Sequence, residues 1–151
     1  MRTIIEDTRQ KKNLHQIKHD YWESEHINVV RSALPFGDYI AAPKIAVDTK
    51  QNIHEIAVNL CGAGKEKRRF ANECKKAKDA ECQLVFLIED AGYGDIDDLY
   101  GKKIYMFNEQ VISGDQLATA MHMVQNRYGC RFLFCDPEES GKVISELLNE
   151  L

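Results

Sequence analysis

Two aspartates and a lysine occur at spacings that suit metal-assisted cleavage of a phosphodiester bond. Asp38 follows a glycine, and Asp48 and Lys50 come later with only Thr49 between them. Carboxylate oxygens are ligands that Mg²⁺ prefers, and they leave water molecules in its coordination shell. The metal polarises the phosphate and lowers the pKa of an attacking water, while a nearby lysine orients that water or stabilises developing charge. The pattern therefore indicates a candidate metal and catalytic site.

The acid-x-lysine pattern is weakly specific on its own, because the chain has 24 acidic residues and a second copy of the pattern, Glu73-Cys74-Lys75. The two copies differ in their predicted local structure. Asp48 and Lys50 end a predicted strand, where residues two apart point to the same face. Glu73 and Lys75 fall in a predicted helix, where residues two apart diverge around the axis. We therefore select the first copy and reject the second.

Apolar periodicity and turn residues define the elements that must position these side chains. Apolar and β-branched runs predict strands over residues 3–5, 28–32, 38–41, 44–48, 84–88, 104–107 and 132–134. Helical spacing predicts helices over residues 12–23, 53–60, 65–80 and 115–128, and a last helix that begins at Pro137. We expect the early strands in meander order, followed by alternating strands and helices. This pattern predicts an α/β fold with a mixed central sheet flanked by helices.

The composition is typical of one globular domain without a membrane segment. The chain has 151 residues, of which 44% are hydrophobic and 29% charged, as in ordinary domains. It contains no apolar run long enough to span a bilayer, and its start lacks the apolar core of a secretory signal. Five scattered cysteines are read as reduced thiols. We expect a single domain over residues 1–151 in a cytoplasmic protein of bacterial or phage type, with no membrane partner.

Positive charge is concentrated in one short stretch, although the formal net charge is −4. Lys65, Lys67, Arg68 and Arg69 crowd the start of a predicted basic helix. Such a run is usually a solvated helix face. Beside an active site, however, it would contact DNA phosphates whatever the base sequence. We therefore predict that these four residues bind nucleic acid.

Three segments together resemble the nuclease domain of the XPF family of structure-specific endonucleases, within the restriction-endonuclease-like superfamily. The segments are Asp7-Thr8-Arg9-Gln10, Leu34-Pro35-Phe36-Gly37-Asp38-Tyr39 and Asp48-Thr49-Lys50. Further stretches at residues 69–70, 84–89 and 127–128 follow in the family's order, so the resemblance covers nearly the whole chain. The Leu-Pro-x-Gly-Asp-Tyr segment is its most specific part. The resemblance implies the restriction-endonuclease-like fold.

Four positions depart from the family's pattern. Gln10 stands where the family often has a glutamate, and Asp48 replaces the usual glutamate. Thr49 replaces an arginine that would contact phosphate. The last acid of the motif falls at His54, with Glu55 adjacent. These changes bear on substrate preference more than on metal binding, because the residues expected to hold the metal and the water are all present.

The resemblance implies a role for each site residue. Asp38 and Asp48 would ligate the metal directly, helped by the backbone carbonyl of Thr49. Lys50 would position the nucleophile, and Asp7 would be a further acid in the outer sphere or at a second metal. Taken singly, such residues also serve as helix caps, turn residues or exposed ion pairs. Their joint order favours the nuclease.

The resemblance implies a Mg²⁺-dependent DNA endonuclease, with Mn²⁺ as an alternative metal, acting on branched or flapped DNA. Two other functions stay open: a catalytically inactive XPF-like scaffold, and a resolvase or restriction-type nuclease on the same fold. The family's helix-hairpin-helix module, which binds duplex DNA, does not occur in residues 1–151. The protein is therefore expected to act as a compact stand-alone nuclease or to gain DNA affinity from a partner, and we expect a homodimer or a DNA-binding partner protein. The predicted dimer surface is the C-terminal segment from Phe132 to Leu151, which has a strand and a helix that begins at Pro137 and carries the apolar residues Val143, Ile144, Leu147, Leu148 and Leu151.

Overall fold

A six-stranded sheet lies at the centre of the computed structural model, which describes residues 3–40, 45–107 and 109–148. Two further strands form a separate hairpin. In chain order the strands are β1 (Thr3–Glu6), β2 (Asn28–Arg31), β3 (Tyr39–Ile40), β4 (Ile45–Lys50), β5 (Gln83–Ile88), β6 (Lys103–Tyr105), β7 (Val111–Ser113) and β8 (Arg131–Phe134).

The described part of the chain also forms five α-helices that cover both faces of this sheet, none of them long and apolar enough to cross a membrane. One core, which includes Phe70, Phe86 and Leu117, lies between the sheet and the second, third and fourth helices. The other core includes Trp22 and Ile144 and lies against the first and last helices. The helices are α1 (Gln16–Ser24), α2 (Ile53–Cys61), α3 (Gly64–Asp79), α4 (Gly114–Tyr128) and α5 (Ser140–Leu147).

The sheet is mixed, as predicted, but the order of its early strands differs from a meander. The strand order is β2-β1-β3-β4-β5-β8. β1 pairs in parallel with β2 and antiparallel with β3, and β3 pairs antiparallel with β4. β4, β5 and β8 run parallel. The predicted meander is wrong because a parallel pair needs a crossover connection, and α1 supplies it between β1 and β2.

β4 contributes to both cores, and this sets the direction of the site residues. Ala46 packs in the core with α2 and α3, whereas Val47 packs in the core with α1 and α5. Side chains alternate along a strand, so Asp48 and Lys50 share the face of Ala46, and both are largely buried. The sequence pattern thus sends both polar residues towards α2 and α3.

The C-terminal helix does not present the apolar stripe that the sequence predicts as a dimer surface. Ile144, Leu147 and Leu148 are buried in the core with α1, and Leu148 is only 4% exposed. Leu148 is therefore not available to a second chain, because its side chain is buried in the core with α1. The prediction for Leu151 lies outside the described residues, as do the predicted strand ends at residues 41 and 44.

Candidate active site

The ends of β3 and β4 bring Asp38, Asp48 and Lys50 together at one edge of the sheet. The Asp38 N–H donates to the carbonyl of Val47 at 2.7 Å, which holds the two segments side by side. The Asp38 carboxylate oxygen Oδ2 accepts hydrogen bonds from the Thr49 N–H at 2.6 Å and the Thr49 hydroxyl at 3.0 Å. Lys50 Nζ lies 3.2 Å from Asp48 Oδ1. The three residues predicted from the sequence therefore form one cluster.

Lys50 is held between acidic and aromatic groups. Its Nζ lies 6.0 Å from the ring centre of Phe70 and 5.8 Å from that of Phe86, and aromatic faces attract cations. Burial acts to lower the pKa of Lys50, but the neighbouring acids, Asp48 foremost, raise it above its usual value. Lys50 therefore carries a positive charge inside the site at neutral pH.

The acid that stands near Lys50 on α2 is Glu55. Glu55 Oε1 lies 3.9 Å from Lys50 Nζ, and Glu55 Oε2 accepts the N–H of Gln51 at 2.9 Å. The neighbouring His54 is directed elsewhere, with its Nδ1 in contact with the carbonyl of Tyr105. The departure from the family's motif at His54 is thus accompanied by an acid one position later that does reach the cluster.

Asp7 lies buried beside the cluster, at the end of β1. Its N–H donates to the carbonyl of Asp38 at 2.7 Å. Its carboxylate accepts the N–H of Leu34 at 3.2 Å and forms an ion pair with Arg9. Because both carboxylate oxygens have protein partners, this arrangement suits an acid of the outer sphere better than a direct metal ligand.

Helix α3 adds an acid that the sequence analysis rejects. Glu73 Oε1 accepts the N–H of Gly37 at 3.0 Å, and Glu73 lines the same cleft as Asp48. The pair Glu73 and Lys75 indeed diverges around the helix, as expected. The rule that residues two apart diverge around a helix does not show that Glu73, unlike Lys75, faces β4. The signal that could have found it is its helical face, because Arg69, Glu73 and Lys76 share one side of α3.

The crowding of acids changes their ionisation. Burial and the nearby Asp48 raise the pKa of Asp38 to about 7, although hydrogen bonds from Thr49 act in the opposite direction. Burial and Asp48 also raise the pKa of Glu73 to about 9. Carboxylates this close to one another resist ionising together. A bound cation would relieve this repulsion.

The described residues include no set of three His, Cys, Asp or Glu side chains arranged to hold a metal ion. The contacts found for Thr49 involve its N–H and hydroxyl, both directed to Asp38. Metal ligation by the Thr49 carbonyl stays a prediction.

A cleft of about 530 Å³ lies over the acids and carries three basic residues among its lining. Arg9 comes from the segment after β1, and Arg69 and Lys76 come from α3. Of the four residues predicted to bind nucleic acid, only Arg69 lines this cleft. Lys67 lines a separate groove against α4, whose described lining has no acidic residue. Lys65 and Arg68 are exposed on α3.

Comparison with solved structures confirms the restriction-endonuclease-like fold. XPF from Aeropyrum pernix superposes with a TM-score of 0.69 at 21% identity, over 98% of this chain and 64% of that chain. The same protein in complex with DNA gives a TM-score of 0.68 at 20% identity, over 99% of this chain and 64% of that chain. The chain thus spans less than two thirds of the length of these structures.

Comparison at the sequence level agrees with the motifs. No curated protein sequence gives a significant match. The family model of the ERCC4 domain, however, matches residues 7–147, which include all the acids of the cluster. The chain belongs to the ERCC4 domain family.

Proposed function

We propose that the chain is a Mg²⁺-dependent DNA endonuclease that hydrolyses phosphodiester bonds in branched or flapped DNA, with Mn²⁺ as an alternative metal. The observation that carries the proposal is the cluster of Asp38, Asp48 and Lys50, in which the two aspartates line one cleft and repel one another and Lys50 contacts Asp48. Membership of the ERCC4 domain family supports nuclease chemistry. The structure of Aeropyrum pernix XPF in complex with DNA supports DNA as the substrate.

The donor set fits Mg²⁺. This ion is usually held by one or two carboxylates and keeps several water molecules, which suits a site with Asp38 and Asp48 as its carboxylates. Their crowding, visible in the raised pKa of Asp38, is the electrostatic condition that a divalent cation stabilises. When bound, the metal would polarise the scissile phosphate and lower the pKa of the attacking water.

The protein groups around this site have separate tasks in the proposed reaction. Lys50, held by Asp48 and the two aromatic rings, donates a hydrogen bond to the attacking water or to the phosphoryl oxygen that gains charge. Asp7 holds Arg9 and the turn before Asp38, and so orients the first ligand from outside the metal shell. Preorganised donors of this kind lower the barrier because they need no rearrangement during the reaction.

DNA phosphates would follow the basic side of the cleft. Arg9, Arg69 and Lys76 line the same cleft as the acids, so a strand that reaches Asp48 passes within range of their charges. Contacts of this type fix the position of the backbone without reading the base sequence. We therefore assign phosphate binding to these three residues, whereas Lys65 and Arg68 stay predictions and Lys67 belongs to another surface.

Cleavage assays on a panel of DNA structures test the proposal. Labelled flap, fork, four-way junction and linear duplex DNA would be incubated with the protein in Mg²⁺, in Mn²⁺ and in EDTA. We expect incision of flap or fork DNA with either metal and no incision in EDTA. Incision restricted to junctions would identify a resolvase, and sequence-specific incision of linear DNA a restriction-type enzyme. Binding without incision would identify a catalytically inactive scaffold.

A homodimer or a separate DNA-binding protein is the second part of the proposal. The cleft offers three basic residues, a small footprint for binding duplex DNA at physiological salt. A two-fold pair would place two clefts on one complex. Because Leu148 is buried, an interface at the C-terminal segment would have to form without this residue. Sedimentation equilibrium decides the matter, and a mass of 17.3 kDa at micromolar concentration would rule out the dimer.

A further inference from the structure

We propose that Glu73 is a positioning residue of the candidate metal site, because it ties helix α3 to the turn that precedes Asp38 and lines the same cleft as Asp38 and Asp48. The inference rests on the proposed function, which identifies the cluster of aspartates as a metal site. It concerns a residue outside the sequence motif, and its test includes a measurement that requires no metal.

The first tie is the hydrogen bond from the Gly37 N–H to Glu73 Oε1, at 3.0 Å. Gly37 is buried and has a φ of +71°, and a Cβ there would lie 3.2 Å from that of Ala46. The backbone is thus tightly confined just before Asp38. A buried N–H without a partner is costly, so Glu73 stabilises the turn that directs the Asp38 side chain.

The second tie is the shared cleft, which both Glu73 and the two aspartates line. Groups that orient metal ligands from outside the coordination shell influence metal affinity although they do not touch the ion. Glu73 acts on Asp38 through the Gly37 backbone, from a position in the same cleft as Asp48.

The rotation of α3 is fixed by packing, which gives Glu73 a defined position. Phe70 stacks on Phe86 of β5 with ring centres 4.5 Å apart. Cys74 and Ala77 are buried on the same core side. These three residues hold the helix against the sheet, so the adjacent Glu73 reaches Gly37 from a rigid element.

A glutamine at position 73 could make the same hydrogen bond without a charge. Its carbonyl oxygen would accept from the Gly37 N–H. Alanine would remove this bond. Comparison of Glu73→Gln with Glu73→Ala therefore separates a role through hydrogen bonding from a role as a charged metal ligand.

The experiment measures two quantities in the wild type, Glu73→Gln, Glu73→Ala and the control Glu66→Ala. Glu66 is an acid on the same helix that pairs with Arg69 at 3.7 Å. The quantities are Mn²⁺ affinity by calorimetry and hydrogen exchange of the Gly37 amide in EDTA. We expect Glu73→Ala to weaken Mn²⁺ binding about tenfold, as for other outer-sphere changes, and to speed exchange at Gly37. Glu73→Gln and Glu66→Ala should stay close to the wild type.

Equal losses of Mn²⁺ affinity in Glu73→Gln and Glu73→Ala would overturn the inference, because the charge would then matter rather than the hydrogen bond. Unchanged Mn²⁺ affinity and unchanged exchange of the Gly37 amide in Glu73→Ala would show that Glu73 has no positioning role. If Glu73→Ala does not fold, fast exchange at Gly37 in Glu73→Gln would still contradict the proposal. Absence of Mn²⁺ binding by the wild type would count against the proposed function, while the exchange data would still decide the role of Glu73.

Discussion

Asp38 illustrates how single residues of this site combine a structural and an electrostatic role. Its pKa rises from 3.8 to about 7 because the carboxyl group is buried and lies beside Asp48. The folded protein therefore binds this proton more tightly than the unfolded chain. The stability that the protonated group contributes is complete at low pH and is lost as the pH rises from about 4 to about 7.

Asp38→Asn should therefore stabilise the metal-free protein at neutral and basic pH. The amide keeps the volume and can still accept hydrogen bonds from Thr49, but it carries no charge to repel Asp48. In EDTA near pH 8 we expect the free energy of unfolding to rise by at least about 1 kcal/mol, because each unit of the pKa shift corresponds to about 1.4 kcal/mol. The gain should disappear near pH 4, where the wild-type group is protonated. Urea unfolding at both pH values measures it, and a loss of stability at the higher pH would contradict the account.

Lys50 should separate catalysis from metal binding. Lys50→Gln removes the positive charge next to Asp48 but leaves both aspartates in place. We expect cleavage to fall about 100-fold, as for the loss of a preorganised donor. Mn²⁺ affinity should not weaken, because the ammonium group and the metal compete for the same carboxylate. Calorimetry and single-turnover cleavage give the two values, and wild-type cleavage by Lys50→Gln would exclude the assigned role.

At the scale of elements, α3 separates its basic residues between two surfaces. Arg69 and Lys76 line the acidic cleft, whereas Lys67 lines the groove against α4. The difference follows from helical periodicity, because positions four and seven apart share a face and position 67 lies on another.

Substitution of these residues should therefore have unequal effects on DNA binding. We expect Arg69→Ala and Lys76→Ala each to weaken binding for all sequences and to lower the slope of affinity against salt by about 1. Lys67→Ala is the matched control and should leave the slope unchanged. Fluorescence anisotropy over a series of salt concentrations measures the slopes. Equal effects of all three substitutions would show that the whole helix, and not its cleft face, contacts DNA.

The sequence predicted the parts of the site that depend on local geometry. Asp48 and Lys50 share a face because they lie two apart on a strand, and Asp38 adjoins them because β3 and β4 pair antiparallel. Glu73 was missed because its place depends on how α3 packs, through Phe70, against β5. No spacing rule within the helix contains that information.

The same distinction holds for the strands. Residues 84–88 were predicted as a strand because a buried central strand is a continuous apolar run. The hairpin of β6 and β7 was only half predicted, because the three residues of β7, Val111–Ser113, are too few to show a pattern. The pairing of β1 with β2 could not be predicted from local sequence either, because a parallel partner is set by the packing of α1, which connects the two strands.

At the scale of the whole molecule, the restriction-endonuclease-like fold and membership of the ERCC4 domain family both agree with a cleft lined by acidic and basic residues. The ERCC4 domain model extends over residues 7–147, and the acids come from β1, β3, β4 and α3 around one opening. The site thus forms only when these elements come together, and no isolated segment could hold Asp7, Asp38 and Asp48 in one cleft. The central claim is that the aspartates of this cleft support metal-dependent cleavage.

The most direct test is single-turnover incision of flap DNA in Mg²⁺ by the wild type, Asp38→Asn and Asp48→Asn. Thermal unfolding of each variant would establish that the fold is retained. We predict that the wild type incises the flap and that each substitution slows incision by at least about 100-fold, because an anionic metal ligand is lost at nearly constant volume. Turnover close to that of the wild type in both variants would contradict the assignment of the site.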